Sequence, residues 1–111
     1  MGGLRAGLVV LVRFPFSDLS ASKLRPALIL ASAGGADWVL CQITSNPYSD
    51  PTALPLTASS YAEGGLPRKS FARPGKLFTA NESIVVRQAG VLTPTAQRSI
   101  VEAVIRLLRG E

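Results

Sequence analysis

With 111 residues, of which 47% are hydrophobic and 17% charged, the chain can bury one small core and is too short for two domains. We therefore expect residues 1–111 to form a single domain. The formal net charge of +5 favours a polyanionic partner, and the absence of histidine excludes Ser-His and Cys-His nucleophile pairs and the usual zinc sites. The one cysteine, Cys41, lies in an apolar run and is predicted to be a buried thiol without a disulfide.

The first third of the chain is predicted to form three strands. Leu8–Phe14 is rich in β-branched and large apolar residues and is followed by Pro15, which is typical of a strand buried on most sides. The small and polar residues of Phe16–Lys23 predict a surface loop. Pro26–Ala31 and Trp38–Thr44 follow as strands joined by a glycine-rich turn, so these three strands are expected to form a meander.

The middle of the chain predicts shorter strands with frequent turns. A turn is expected at Glu63–Gly65, and Pro74–Gly75 is expected to separate two strands. Short strands with turns about every eight to twelve residues indicate a sandwich or a closed barrel, and a chain this short favours the small barrel. The further predicted strands, which bring the total to six or seven, are Ala53–Leu56, Lys69–Ala72, Lys76–Thr79 and Ser83–Val91.

A helix is predicted at the C-terminal end. Thr93 supplies an N-cap hydroxyl, Pro94 suits the first helical position, and apolar residues recur with a helical period over Ile100–Leu108. Gly110, just after Arg109, is typical of a left-handed helix stop with a cation near the negative end of the helix. The predicted fold class is therefore mainly β, with one helix packed on a small barrel.

Apolar runs in this sequence are short. Leu8–Val12 is too short for the core of a signal peptide and is followed by Arg13. No stretch reaches the roughly 18 apolar residues that a membrane-spanning helix needs. We therefore expect a cytoplasmic protein that does not associate with membranes.

Two groups of polar residues mark the ends of predicted strands. Arg25 stands where the polar loop meets the second strand, so its guanidinium either pairs with a carboxylate such as Asp18 or faces a cleft that binds an anion such as phosphate. The polar residues of Gln42–Asn46 end the third strand, where hydroxyls either cap the loop locally or contribute to a site.

A cluster of four cations follows in the second half of the chain. Arg68, Lys69, Arg73 and Lys76 have no acidic residue between them and have phenylalanines nearby. Such a cluster is typical either of a track for nucleic acid or of a solvated basic face. The residues alone leave both interpretations open.

Four segments together resemble the PemK/MazF family of toxins: Val9–Leu19, Lys23–Leu30, Gln42–Ser45 and Ala72–Phe78. The resemblance runs from Gly7 to the terminal helix. It implies a homodimer of SH3-like (MazF/CcdB-type) barrels that cleaves single-stranded RNA at short preferred sequences without a metal or other cofactor. It also implies a cognate antitoxin that holds the toxin inactive.

The resemblance assigns roles to particular residues. Arg25 and Thr44 match the catalytic arginine and threonine of the family. An RNA phosphodiester carries its own nucleophile, the 2′-hydroxyl, so positioning and charge stabilisation suffice for cleavage without imidazole. The general base is left open among Asp18, Glu63 and Glu82. The residues predicted to contact RNA are Phe16, Asp18, Lys23, Ser45, Asn46, Arg68, Lys69, Arg73 and Lys76.

Two other functions are compatible with the sequence. The first is a barrel that lacks catalytic activity and acts as a binding module for nucleic acid or antitoxin. The second is a toxin of the same fold that poisons DNA gyrase through protein contacts. Retained toxicity after substitution of both Arg25 and Thr44 would favour the gyrase-directed toxin.

Overall fold

One antiparallel sheet and a C-terminal helix make up the fold of this computed structural model, which describes residues 3–14 and 23–111. Within these residues, the elements are β1 (Leu8–Phe14), β2 (Lys23–Gly34), β3 (Asp37–Thr44), β4 (Leu54–Leu56), β5 (Tyr61–Gly64), β6 (Ser70–Asn81), β7 (Val85–Leu92) and α1 (Pro94–Arg109). The seven strands lie in the order β4-β6-β3-β2-β1-β7-β5. The predicted meander of the first three strands is present as the neighbours β1, β2 and β3.

The sheet is strongly curled. Its two edge strands, β4 and β5, are joined only by residues 57–60, which include a short 3₁₀ turn at Ala58–Ser60. Since so short a connection spans less than about 20 Å, the two edges of the sheet must lie near each other. The sheet thereby forms a half-barrel, and the predicted mainly β fold of six or seven strands with a C-terminal helix is confirmed.

The core lies on both faces of the central strand β1. Leu8, Val10 and Val12 point into one buried cluster, while Val9 joins a second cluster that Ile100 of α1 covers. These four side chains of β1 are at most 1% exposed. The continuous apolar run predicted to be buried on most sides is therefore confirmed, because a strand buried on both faces has no polar alternation.

The ends of α1 are set by the predicted residues. Thr93 Oγ1 accepts a hydrogen bond of 3.2 Å from the backbone N–H of Ala96, and Pro94 occupies the first helical position. Gly110 adopts the left-handed conformation, with φ of 76°, and its N–H donates to the carbonyl of Leu107. The predicted helix and both of its caps are confirmed.

The prediction of two strands on either side of Pro74–Gly75 is wrong. β6 is one strand over Ser70–Asn81, and the irregularity lies in its pairing with β3. The partner of Cys41 is Leu77, whereas the partner of Ile43 is Ala72. Residues 73–76 therefore form a bulge within a continuous strand, where the missing N–H of proline removes no ladder hydrogen bond.

The prediction of a turn at Glu63–Gly65 is also wrong, because Tyr61–Gly64 forms the edge strand β5. Glycine permits a very close approach of this strand to β7. A Cβ atom on Gly64 would lie 2.4 Å from the carbonyl oxygen of Ala89, and one on Gly90 would lie 2.8 Å from the nitrogen of Gly65. Gly64, predicted as a turn residue, therefore serves close backbone packing against β7.

Candidate active site

Arg25 and Thr44 lie on neighbouring strands and face the same cavity. β2 pairs with β3 with Ala27 opposite Gln42, and continuing this antiparallel register by two residues places Arg25 opposite Thr44. Both side chains line a cavity of about 480 Å³. The strand pairing thus brings together two residues that the sequence separates by most of β2, a turn and most of β3.

The cavity is basic. Arg25, Arg68 and Arg87 line it, and none of the described residues along its wall is acidic. Hydroxyl groups of Thr44 and Ser45 supply hydrogen-bond donors in the same wall. Guanidinium groups present planar forks of donors that match phosphate oxygens, so this arrangement suits a phosphate-bearing ligand.

The hydroxyl of Thr44 caps a loop and lies in the cavity wall, so the sequence's two interpretations do not exclude each other. Its Oγ1 donates a hydrogen bond of 3.1 Å to the carbonyl of Asn46 and accepts one of 3.2 Å from the N–H of Asn46. The hydroxyl therefore caps the start of the loop after β3, and it also lines the cavity. Such local capping fixes the direction of the hydroxyl.

The four cations of the basic cluster do not form one continuous track. Arg68 lines the cavity, whereas Arg73 and Lys76 line a separate groove of about 360 Å³ beside the bulge in β6. The Nζ atom of Lys69 lies 5.8 Å from the centre of the Phe71 ring. The bulge and the alternation of side chains along β6 send these residues in different directions.

Arg73 is held by an acidic residue from another part of the chain. Its Nε donates a hydrogen bond of 2.7 Å to Oδ2 of Asp50, and its Nη1 lies 3.4 Å from Oε1 of Gln42. Hydrogen bonds from Thr52 and then from Arg73 lower the pKa of Asp50 from 3.8 to about 2. Arg73 thus has a structural partner, which the absence of acids within the cationic cluster did not suggest.

Comparison with known proteins places the chain in a family. The sequence model of the PemK-like, MazF-like toxins of type II toxin-antitoxin systems matches residues 5–108. The chain belongs to this family. No curated protein matches it.

Solved structures of MazF proteins share the fold of this MazF-like toxin. The Mycobacterium tuberculosis toxin MazF-mt6 is 20% identical, with a TM-score of 0.70, 92% of this chain covered and 96% of that one. A MazE-MazF structure from Deinococcus radiodurans is 19% identical, with a TM-score of 0.74 and 94% of both chains covered. An endoribonuclease in complex with its cognate antitoxin, from a mycobacterial species, is 17% identical, with a TM-score of 0.68 and 96% of both chains covered.

The remaining predicted site residues of this MazF-like toxin fall into three groups. Ser45 lines the cavity together with Arg68. Lys23 is exposed at the start of β2, and the side chain of Asn46 accepts a hydrogen bond from the N–H of Tyr48 instead of facing the cavity. Phe16 and Asp18 lie outside the described residues.

Two candidates for the general base lie away from the cavity. Glu63 is exposed on β5, and Glu82 is exposed in the 3₁₀ turn before β7. Neither is among the described residues that line the cavity. The third carboxylate considered from the sequence, Asp18, lies outside the described residues.

Arg87 and Gln88 were missed in the sequence analysis. Both line the cavity, because β1 pairs with β2 on one side and with β7 on the other. Leu11 lies opposite Pro26 in β2 and opposite Arg87 in β7, so the cavity extends across three strands. Arg87 and Gln88 are consecutive polar residues within an otherwise apolar strand. This pattern could have indicated that the two residues face a site.

Cys41 takes no part in this site. It is fully buried, and its thiol donates a hydrogen bond of 3.1 Å to the carbonyl oxygen of Arg73. Burial raises the pKa of the Cys41 thiol to about 11, and the hydrogen bond to the backbone opposes this rise in part. The prediction of a buried, unreactive thiol is consistent with this environment.

Proposed function

We propose that this MazF-like toxin cleaves single-stranded RNA in the cavity lined by Arg25, Thr44 and Arg87. The observation that carries the proposal is the meeting of Arg25 and Thr44 in one basic cavity. These are the two residues that match the catalytic residues of the family by sequence. The MazF-like endoribonucleases of the same fold support the assignment.

The reaction begins with attack of a ribose 2′-hydroxyl on the adjacent phosphorus. The bond from phosphorus to the 5′-oxygen of the next nucleotide then breaks, which leaves a 2′,3′-cyclic phosphate and a 5′-hydroxyl. The 2′-hydroxyl proton passes to a general base, for which the sequence offers carboxylates such as Asp18, Glu63 and Glu82. The leaving 5′-oxygen takes its proton from the guanidinium of Arg25, which regains one from water. Negative charge develops on the phosphate oxygens between these two events.

Arg25 and Thr44 act on that charge. The guanidinium of Arg25 donates two hydrogen bonds to the nonbridging oxygens of the scissile phosphate. Thr44 donates to the same phosphate once its O–H turns away from the carbonyl of Asn46, a bond of 3.1 Å in the free protein. A hydroxyl has a single proton, so substrate binding must exchange one acceptor for the other.

Arg68 and Arg87 hold the phosphates that flank the reacting group. Both are exposed at the cavity wall, so they can reach the backbone of a bound strand without the cost of burying an unpaired charge. Binding through several phosphates releases counterions, and high salt is therefore expected to weaken RNA binding markedly.

The partners follow from membership in a toxin-antitoxin family. We expect an acidic segment of the cognate antitoxin to cover the basic cavity and exclude RNA. We also expect a homodimer, and α1 presents Ile105, Leu107 and Leu108 as an exposed apolar surface. No helix in residues 3–14 and 23–111 is long and apolar enough to cross a membrane. We expect a cytoplasmic location because the proposed substrate, cellular RNA, is found there.

The test is incubation of the purified protein with a mixed-sequence single-stranded RNA in excess EDTA, followed by mapping of the product ends. Cyclic phosphate or 3′-phosphate ends are expected from the parent and not from Arg25→Ala. Arg98→Ala is the matched control, because Arg98 is an exposed arginine on α1. Equal cleavage by Arg25→Ala would overturn the catalytic assignment, and intact RNA with every folded variant would favour a binding module or a gyrase-directed toxin.

A further inference from the structure

An exposed aromatic side chain stands in the loop between β3 and β4. Tyr48 is 83% exposed, while the other tyrosine, Tyr61, is half-buried against the core. A large aromatic ring in water contributes little to folding, because it removes almost no apolar surface from solvent. The position of Tyr48 therefore calls for an explanation other than packing.

The backbone at Tyr48 is strained. Its φ is 54°, and within the described residues it is the one non-glycine residue with a positive φ. A side chain with a Cβ atom adopts this left-handed region at a cost in free energy, and glycine or asparagine would adopt it more readily. Tyrosine thus occupies a position where glycine or asparagine would favour folding.

The strained conformation is held in place by a network of hydrogen bonds. The N–H of Tyr48 donates to Oδ1 of Asn46 at 2.9 Å, and the N–H of Asp50 donates to the carbonyl of Pro47 at 3.0 Å. The 2.7 Å ion pair between Asp50 and Arg73 ties the loop to the bulge in β6. These contacts on both sides of Tyr48 hold the backbone that carries the ring before any ligand arrives.

The surroundings of the ring are suited to a nucleotide. Tyr48 and Lys76 line the same groove of about 360 Å³, and the charge of Asp50 is balanced by Arg73. Lys76 is therefore the uncompensated charge of this groove. An aromatic face beside an ammonium group matches a base beside its phosphate.

The groove also lies close to the cavity along the chain. Thr44 lines the cavity and Tyr48 lines the groove, and four residues of chain span at most about 14 Å. The loop between them is bonded at Thr44 and Asn46, so the two sites are held at a fixed spacing. A strand bound at Arg25 can therefore continue to Tyr48.

We propose that Tyr48 stacks on a base of single-stranded RNA, and that Lys76 binds a neighbouring phosphate, as a subsite next to the cleavage cavity. This inference rests on the proposed function, since it assumes that RNA occupies the cavity. It assigns the groove beside the bulge a role in binding, separate from the chemistry at Arg25 and Thr44.

The test compares Tyr48→Phe with Tyr48→Asn. Phenylalanine keeps the stacking face, whereas asparagine removes it and suits the left-handed backbone better, so Tyr48→Asn should unfold at or above the parent's Tm. Tyr48→Asn is expected to raise KM for RNA about tenfold with little change in kcat, as the loss of one stacked base predicts. Tyr48→Phe is expected to keep the parent's KM.

A direct signal comes from short RNAs with 2-aminopurine at successive positions, bound to Arg25→Ala so that the RNA stays intact. One position should show quenched fluorescence that Tyr48→Phe preserves and Tyr48→Asn removes. Parent-like KM and quenching in Tyr48→Asn would overturn the subsite while leaving the cleavage activity in place. The subsite would also be overturned if Tyr48→Asn lost binding to an acidic peptide and still bound RNA as the parent does. That result would indicate a protein-binding loop.

The proposed function is judged separately from the subsite. Intact RNA after incubation with the folded parent would overturn the endonuclease assignment. The quenching experiment would still decide the subsite in that case, because it requires RNA binding and no cleavage.

Discussion

Arginine side chains line both the cavity and the neighbouring groove, and Arg25 and Arg73 have different surroundings. Arg73, in the groove, is bound by Asp50 at 2.7 Å. Arg25, in the cavity, shares its wall with Arg68 and Arg87, and no described acidic residue lines that wall. The comparison teaches that the nearest acid in space, not the density of cations along the chain, identifies an arginine that anchors the fold, as Asp50 does for Arg73.

The largest expected difference between the two regions is in turnover. Removal of one donor to a developing oxyanion costs about 10² to 10³ in rate, so Arg25→Ala should lower kcat by that factor. Arg73→Ala should instead lower Tm and leave kcat near the parent's, because it releases the loop that carries Asp50. Steady-state kinetics and thermal unfolding of both variants measure the two effects, and a large loss of kcat in Arg73→Ala would break the comparison.

A smaller effect is expected from the third arginine of the cavity. Arg87→Ala should raise KM several-fold on all RNA sequences and reduce the slope of log K against log salt by about 1, as the loss of one phosphate contact predicts. Arg87→Lys keeps the charge and should restore most of the slope. If Arg73→Ala changed the slope of log K against log salt and Arg87→Ala did not, Arg73 and not Arg87 would be the residue that contacts a phosphate.

The smallest effect is on stability at acid pH. The pKa of Asp50 is lowered from 3.8 to about 2, so its carboxylate stabilises the fold fully above the unfolded value and loses this contribution as pH falls towards the folded value. The Tm of the parent should exceed that of Asp50→Asn at neutral pH, and the difference should shrink between about pH 4 and pH 2. Melting curves of both proteins across this pH range measure the difference in Tm. A difference that stays constant would mean that ionisation of Asp50 does not stabilise the fold.

The sequence predicted those features that depend on near neighbours along the chain. The run Leu8–Phe14 predicted β1 with its observed bounds, because continuous apolar residues flanked by breakers indicate a buried strand. Thr93, Pro94 and Gly110 predicted the ends of α1, because capping is a local interaction. Arg25 and Thr44 were identified through the family resemblance, and the pairing of β2 with β3 then places them together.

Features that depend on distant pairing were predicted poorly. The bulge in β6 keeps one strand continuous across Pro74–Gly75, and only the register with β3 reveals it. The partner of Arg73 is Asp50, 23 residues earlier in the chain. The place of Arg87 in the cavity depends on β7 pairing with β1, which composition and periodicity do not specify.

The burial of β1 on both faces has a consequence for how such a toxin can diverge. Leu11 of this strand lies in the wall of the cavity, between Arg87 and Pro26, while Tyr48 belongs to a surface loop. Amides of β1 should be among the last to exchange with solvent, and those of the loop among the first. With the proposed role of Tyr48, mutations in the loop would change which RNA sequences are bound at little cost to the fold. The scaffold that holds Arg25 and Thr44 would stay constant while target preference evolves.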